Sequence, residues 1–94
     1  MTTTSAFATS AEPQTCPWPY VCFYNNNGEI QTMYRDYGLQ NTGSKTQAAN
    51  WMMNARHDDC VNLYINGFPT YKIYPGQSVG VASPVVKIEI LHGC

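Results

Sequence analysis

The sequence predicts a single all-β domain, a small sandwich of six short strands over residues 16–94. Three observations point there. Short apolar or alternating runs recur between turn signals built from Asn, Gly and Pro, the usual punctuation of strands and hairpins. No stretch carries a sustained helical period. Four cysteines in a 94-residue chain suggest a framework that supplements a modest core with cross-links.

Residues 1–15 are rich in Thr, Ser and Ala and nearly uncharged, which predicts a disordered tail, the remnant of a signal or pro-segment or an appended start. Cys16-Pro17-Trp18-Pro19-Tyr20-Val21-Cys22 follows. Proline fixes φ and removes a donor, so this segment reads as a short stiff loop rather than a helix, closed if Cys16 and Cys22 pair. Trp18, held between two prolines, is the aromatic expected to stand exposed. Val21 to Tyr24 reads as a strand, and Asn25-Asn26-Asn27-Gly28 as a hairpin turn. Glu29 to Tyr34 alternates polar and apolar, placing Ile30, Thr32 and Tyr34 on one face and Met33 on the other.

From Arg35 to Gln47 periodicity is lost, and a long loop is expected. Ala48 to Asn54 reads as a short strand or single turn with Trp51 in the core. Cys60 to Ile65 is the clearest strand, Asn66-Gly67 the strongest hairpin signal, and Phe68 to Tyr74 the returning partner, with Pro69 at an edge or bulge. Pro75-Gly76-Gln77-Ser78 turns the chain again. Val85 to Leu91 closes it, with Val86, Ile88 and Ile90 inward and Lys87 and Glu89 toward water. Val21–Gly28 and Val61–Gly67 share one order: apolar, any residue, apolar, Tyr, then an Asn-Gly turn. A domain of two motifs, each lending a strand to the other, accounts for that repetition.

Charged residues make up only 12% and the formal net charge is −1. With no basic run, nucleic acid and anionic membranes are poor partners. No segment is long and apolar enough to span a membrane. The even cysteine count and uncharged polar surface point to an oxidised, secreted, extracellular protein. Of the three connectivities, Cys16–Cys22 with Cys60–Cys94 is favoured, because the second bond pins the last strand to the middle of the chain.

No catalytic constellation emerges, and an enzyme is the class least expected. His57, Asp58 and Asp59 read as a charged turn, and His57 and His92 are too few and too far apart for a zinc site. No cofactor is expected. For recognition of another protein, a rigid extended loop with an apolar anchor is the useful element. Asn66-Gly67-Phe68-Pro69-Thr70 offers one, with Phe68 as anchor, and Tyr37-Gly38-Leu39-Gln40 is a second exposed candidate. Seven tyrosines and two tryptophans suit a binding face.

The opening Cys-Pro-x-x-Tyr-Val-Cys-x-Tyr over Cys16–Tyr24 resembles the start of the small secreted peptidase inhibitors of the Streptomyces metalloproteinase inhibitor family. The closing Val86-Lys87-Ile88-Glu89-Ile90-Leu91 resembles the last strand of a βγ-crystallin-like domain, including the Streptomyces killer-toxin-like protein. The resemblance implies a Greek-key β-sandwich, βγ-crystallin-like, and a monomeric protease inhibitor whose partner is an extracellular protease. The alternatives it carries are an antimicrobial, killer-toxin-like protein and a structural crystallin-type protein. It also raises calcium, but Gln40-Asn41-Thr42-Gly43-Ser44-Lys45 matches only two of four ligand positions and contains no carboxylate, so weak or absent binding is expected. Cys60 and Cys94 are too distant in sequence to form the short second clip of the inhibitors.

Overall fold

The computed structural model describes residues 13–65, 68–81 and 83–94, with the backbone alone for 68–70. Its elements run β1 (Val21–Tyr24), β2 (Ile30–Tyr34), β3 (Gly38–Asn41), α1 (Ser44–Gln47), β4 (Trp51–Asn54), β5 (Val61–Ile65), β6 (Phe68–Ile73), β7 (Ser78–Gly80) and β8 (Lys87–Ile90). The strands form two four-stranded antiparallel sheets, ordered β2-β1-β4-β7 and β3-β8-β5-β6. The all-β sandwich is therefore observed, with both predicted disulfides, Cys16–Cys22 and Cys60–Cys94, in place. Among the described residues no helix is long and apolar enough to cross a membrane.

The strand order explains the internal repetition. Each half of the chain folds as a Greek key and contributes its third strand to the opposite sheet: β3 pairs with β8, and β7 with β4. The halves match in detail. β1 and β2 change register at Phe23/Tyr24, and β5 and β6 at Leu63/Tyr64. Asn50 donates its N–H to Tyr24 O, and Val86 donates to Tyr64 O, both at 2.9 Å. Val81 N–H then meets Asn50 O at 2.9 Å, as Thr42 N–H meets Val86 O at 3.2 Å.

Between the sheets lie Val21, Phe23 and Met52 from one side and Val61, Leu63, Ile73, Ile88 and Ile90 from the other, with Ala49, Val81 and Val85 supplied by loops. The alternation of β8 and β5 produces this inner face directly, since successive strand residues point to opposite sides. Central β1 is buried on both faces. Its outer residues are covered by the N-terminal segment: Cys16 is bonded to Cys22, and Tyr24 Oη donates to Gln14 O at 2.7 Å. Gln14 also bridges to the hairpin, its N–H reaching Gly28 O at 2.8 Å and its side-chain oxygen accepting from Ile30 N at 2.8 Å. Pro13 to Thr15 are thus part of the fold, although expected in the tail; residues 1–12 lie outside the described residues.

Other expectations are corrected. Trp51 is not in the core. Met52 takes the inward position of β4, and the Trp51 ring stacks on Tyr24 at 3.8 Å on the outer face. Val85, rather than Val86, is fully buried; it enters from the loop before β8, so the inward alternation begins only at Ile88. Glu89 does not face open water either: it accepts from Asn62 Nδ2 at 3.2 Å and Tyr64 Oη at 2.9 Å across the outer face. The expected loop 35–47 contains edge strand β3 and the single turn α1, and Ser78, read as a turn, begins β7.

Candidate functional site

One end of the sandwich is organised by a polar cluster on the link between the two Greek keys. Asn54, at the end of β4, is fully buried and its amide is used completely. Nδ2 donates to Asp59 O at 3.0 Å and Ile73 O at 3.1 Å, and Oδ1 accepts from Arg56 N at 3.0 Å. Two residues on, Arg56 turns inward with only 7% of its surface exposed. Its Nε donates to Asp59 Oδ2 at 2.7 Å, while one terminal nitrogen donates to Pro19 O at 2.8 Å and Arg35 O at 3.1 Å. A buried guanidinium needs such a set of partners, because an unpaired charge there is strongly disfavoured.

Asp59 completes the cluster. Besides Arg56 it receives the Tyr37 hydroxyl at 2.9 Å on Oδ2 and the Gly93 N–H at 2.8 Å on Oδ1. Burial alone would raise its pKa. The Gly93 N–H, the Arg56 guanidinium and the Tyr37 hydroxyl outweigh that and hold it below the usual carboxylate range. Five segments are therefore tied at one point: the Cys16–Cys22 loop, the β2–β3 connection, the inter-motif link, the end of β6 and the segment after β8.

This cluster presents rings at the surface. Tyr37 is sandwiched, with the Arg56 guanidinium carbon 4.6 Å from its centre and the His92 ring stacked at 3.7 Å. Trp18 is 61% exposed, and His57 stacks against it at 5.3 Å. The loop carrying Trp18 is closed by its disulfide and by a Tyr20 N–H to Pro17 O bond of 2.9 Å; the Trp18–Pro19 peptide is cis.

The sequence candidates are dispersed. Asn66 and Gly67 lie outside the described residues, and Phe68, Pro69 and Thr70 open β6 with Phe68 opposite Ile65. That hairpin is at the opposite end of its sheet from Gly38 and Ile90, which lead to Tyr37 and His92. Trp18 and the start of β6 therefore lie at opposite ends of the sandwich. Cys16, Cys22, Cys60 and Cys94 serve as cross-links; Cys60–Cys94 holds His92 and Gly93 near Asp59. The stretch weighed for calcium is occupied structurally: Gln40 Nε2 donates to Asp36 O at 2.6 Å and Thr42 Oγ1 to Val85 O at 2.6 Å. Among the described residues no group of three or more His, Cys, Asp and Glu side chains is placed to hold a metal.

Arg56 and Asn54 were missed from the sequence. The Arg56–Asp59 spacing is visible there, but the carbonyls that make the site belong to Pro19, Arg35 and Ile73, and nothing local marks them. Chemically the arrangement fixes surface loops: it offers rigid aromatic groups on a stapled frame. Comparison with known proteins yields no matching family model, no matching curated protein and no matching solved structure.

Proposed function

We propose that this chain is a secreted, monomeric binding protein that blocks an extracellular protease, of the metalloprotease class first, by presenting a rigid loop. It acts by occupancy, not by catalysis. The observation that carries this reading is the location of the Cys16–Tyr24 signature. It forms the disulfide-closed entry to β1 of two interlocked Greek keys, the architecture that the resemblance to the Streptomyces inhibitors implies. Two disulfides suit an oxidising compartment. A stapled loop also loses little conformational freedom on binding, so more of its contact energy appears as affinity.

The deciding experiment titrates a panel of proteases, including a thermolysin-like metalloenzyme and a subtilisin, with the oxidised protein. Stoichiometric loss of one activity is expected. A flat response across the panel removes the inhibitor reading and moves the choice to the killer-toxin-like alternative, which growth inhibition of fungi and bacteria then measures.

A further inference from the structure

The geometry points to the Cys16–Cys22 loop, with Trp18 as its anchor, as the element that enters the target. This inference rests on the protease-blocking reading above and assigns its contact residue. Four features of the loop converge.

Trp18 is the most exposed large apolar side chain among the described residues, at 61%. Tryptophan is also among the residues that most often dominate a binding interface when seated in an apolar pocket. Its backbone is fixed from both sides: the disulfide closes the loop, and Arg56 grips Pro19 O from beneath at 2.8 Å. One face of the indole rests against His57, which limits its rotamers while leaving the rest of the ring to solvent. Finally, the grip is itself buried and anchored to the Asp59 carboxylate and Arg35 O, so the loop is held in the free protein and needs no ordering at the moment of contact.

The loop presents one exposed indole on a short cross-linked turn. Its complement is a concave apolar pocket such as the side-chain specificity pocket of a protease that accepts large hydrophobic residues. The Tyr37 ring is engaged within the chain by both Arg56 and His92, whereas among the described residues Trp18 has only His57 against it, which makes Trp18 the better anchor.

The experiment uses the protease that the wild-type chain inhibits and compares inhibition constants for Trp18→Ala, Trp18→Phe and Tyr71→Ala. Tyr71 is an exposed residue of the edge strand β6 and serves as the control. Trp18→Ala is expected to weaken inhibition tenfold or more, with Trp18→Phe intermediate and Tyr71→Ala within threefold. A Trp18→Ala loss smaller than tenfold overturns the assignment while leaving the inhibitor reading intact. If Trp18→Ala does not fold, acrylamide quenching of Trp18 in a Trp51→Phe background decides: protection on adding protease is expected, and unchanged quenching overturns the proposal. No inhibition by the wild-type chain itself marks failure of the underlying reading, and this inference falls with it.

Discussion

At the scale of single residues, the Arg56–Asp59 pair governs how the end of the sandwich responds to mutation and acid. Arg56 is buried and bound to one carboxylate and two carbonyls. Arg56→Ala leaves Asp59 and those carbonyls without their donor and is expected to cost about 3–5 kcal/mol, the range for breaking one side of a buried ion pair, measured by urea denaturation. Asp59 supplies a pH signature. Its folded pKa is depressed, so its contribution is present above the unfolded value of about 3.9 and is lost as pH falls through the lower folded value. The stability gap between wild type and Asp59→Asn should therefore be widest near neutrality and shrink below about pH 4; a gap constant from pH 6 to pH 2 would contradict this role. Little of the site was legible from sequence, because its chemistry is side chain to distant backbone. Arg56, His57, Asp58 and Asp59 look like an ordinary charged turn until Pro19 and Arg35 are brought to them.

At the scale of elements, the hairpins were legible and the two strands exchanged between the motifs, β3 and β7, were not. Asn25–Gly28 reads as a turn because its chemistry is local: Asn25 Oδ1 accepts from Asn27 N at 2.9 Å and Glu29 N at 3.0 Å, and Gly28 takes φ +77°. A Cβ on Gly28 would lie 2.9 Å from Pro13 Cα. Gly28→Ala thus combines a left-handed backbone cost of about 1–2 kcal/mol with displacement of the segment that covers β1. Loss of stability is expected in thermal unfolding, together with faster hydrogen exchange at the Gln14 and Ile30 amides. Exchange unchanged at both would show that the segment tolerates the extra carbon. By contrast, β3 (Gly-Leu-Gln-Asn) and β7 (Ser-Val-Gly) are edge strands of four and three residues. Each carries a single apolar side chain, Leu39 or Val79, so the period-2 pattern that revealed β2 and β8 was never there to read. Trp51 failed for a related reason: sequence marks a large ring as core material, but β4 has two covered faces and gives the inner one to Met52.

At the scale of the whole molecule, the exchange of β3 and β7 makes the two halves interdependent. Neither sheet is complete without a strand from the other motif, so the domain should unfold in one cooperative transition, and fragments 13–56 and 57–94 should each remain unfolded alone. The disulfides act on this unit unequally. Cys60–Cys94 spans 34 residues and ties the start of the second motif to the segment beyond its last strand, whereas Cys16–Cys22 spans six. Restriction of the unfolded chain grows with loop length, giving about 4 kcal/mol for the long bridge and about 2 kcal/mol for the short one. Replacing Cys60 and Cys94 together by serine should therefore lower the denaturation midpoint more than replacing Cys16 and Cys22. On the proposed inhibitor reading, the two losses should separate by function as well. The long-bridge variant loses global stability, with Trp18 still held by its own disulfide and by Arg56. The short-bridge variant stays largely folded but frees the loop, so its inhibition should fall further than its stability. Equal losses of inhibition in both variants, measured where both are fully folded, would place the contact away from the Cys16–Cys22 loop.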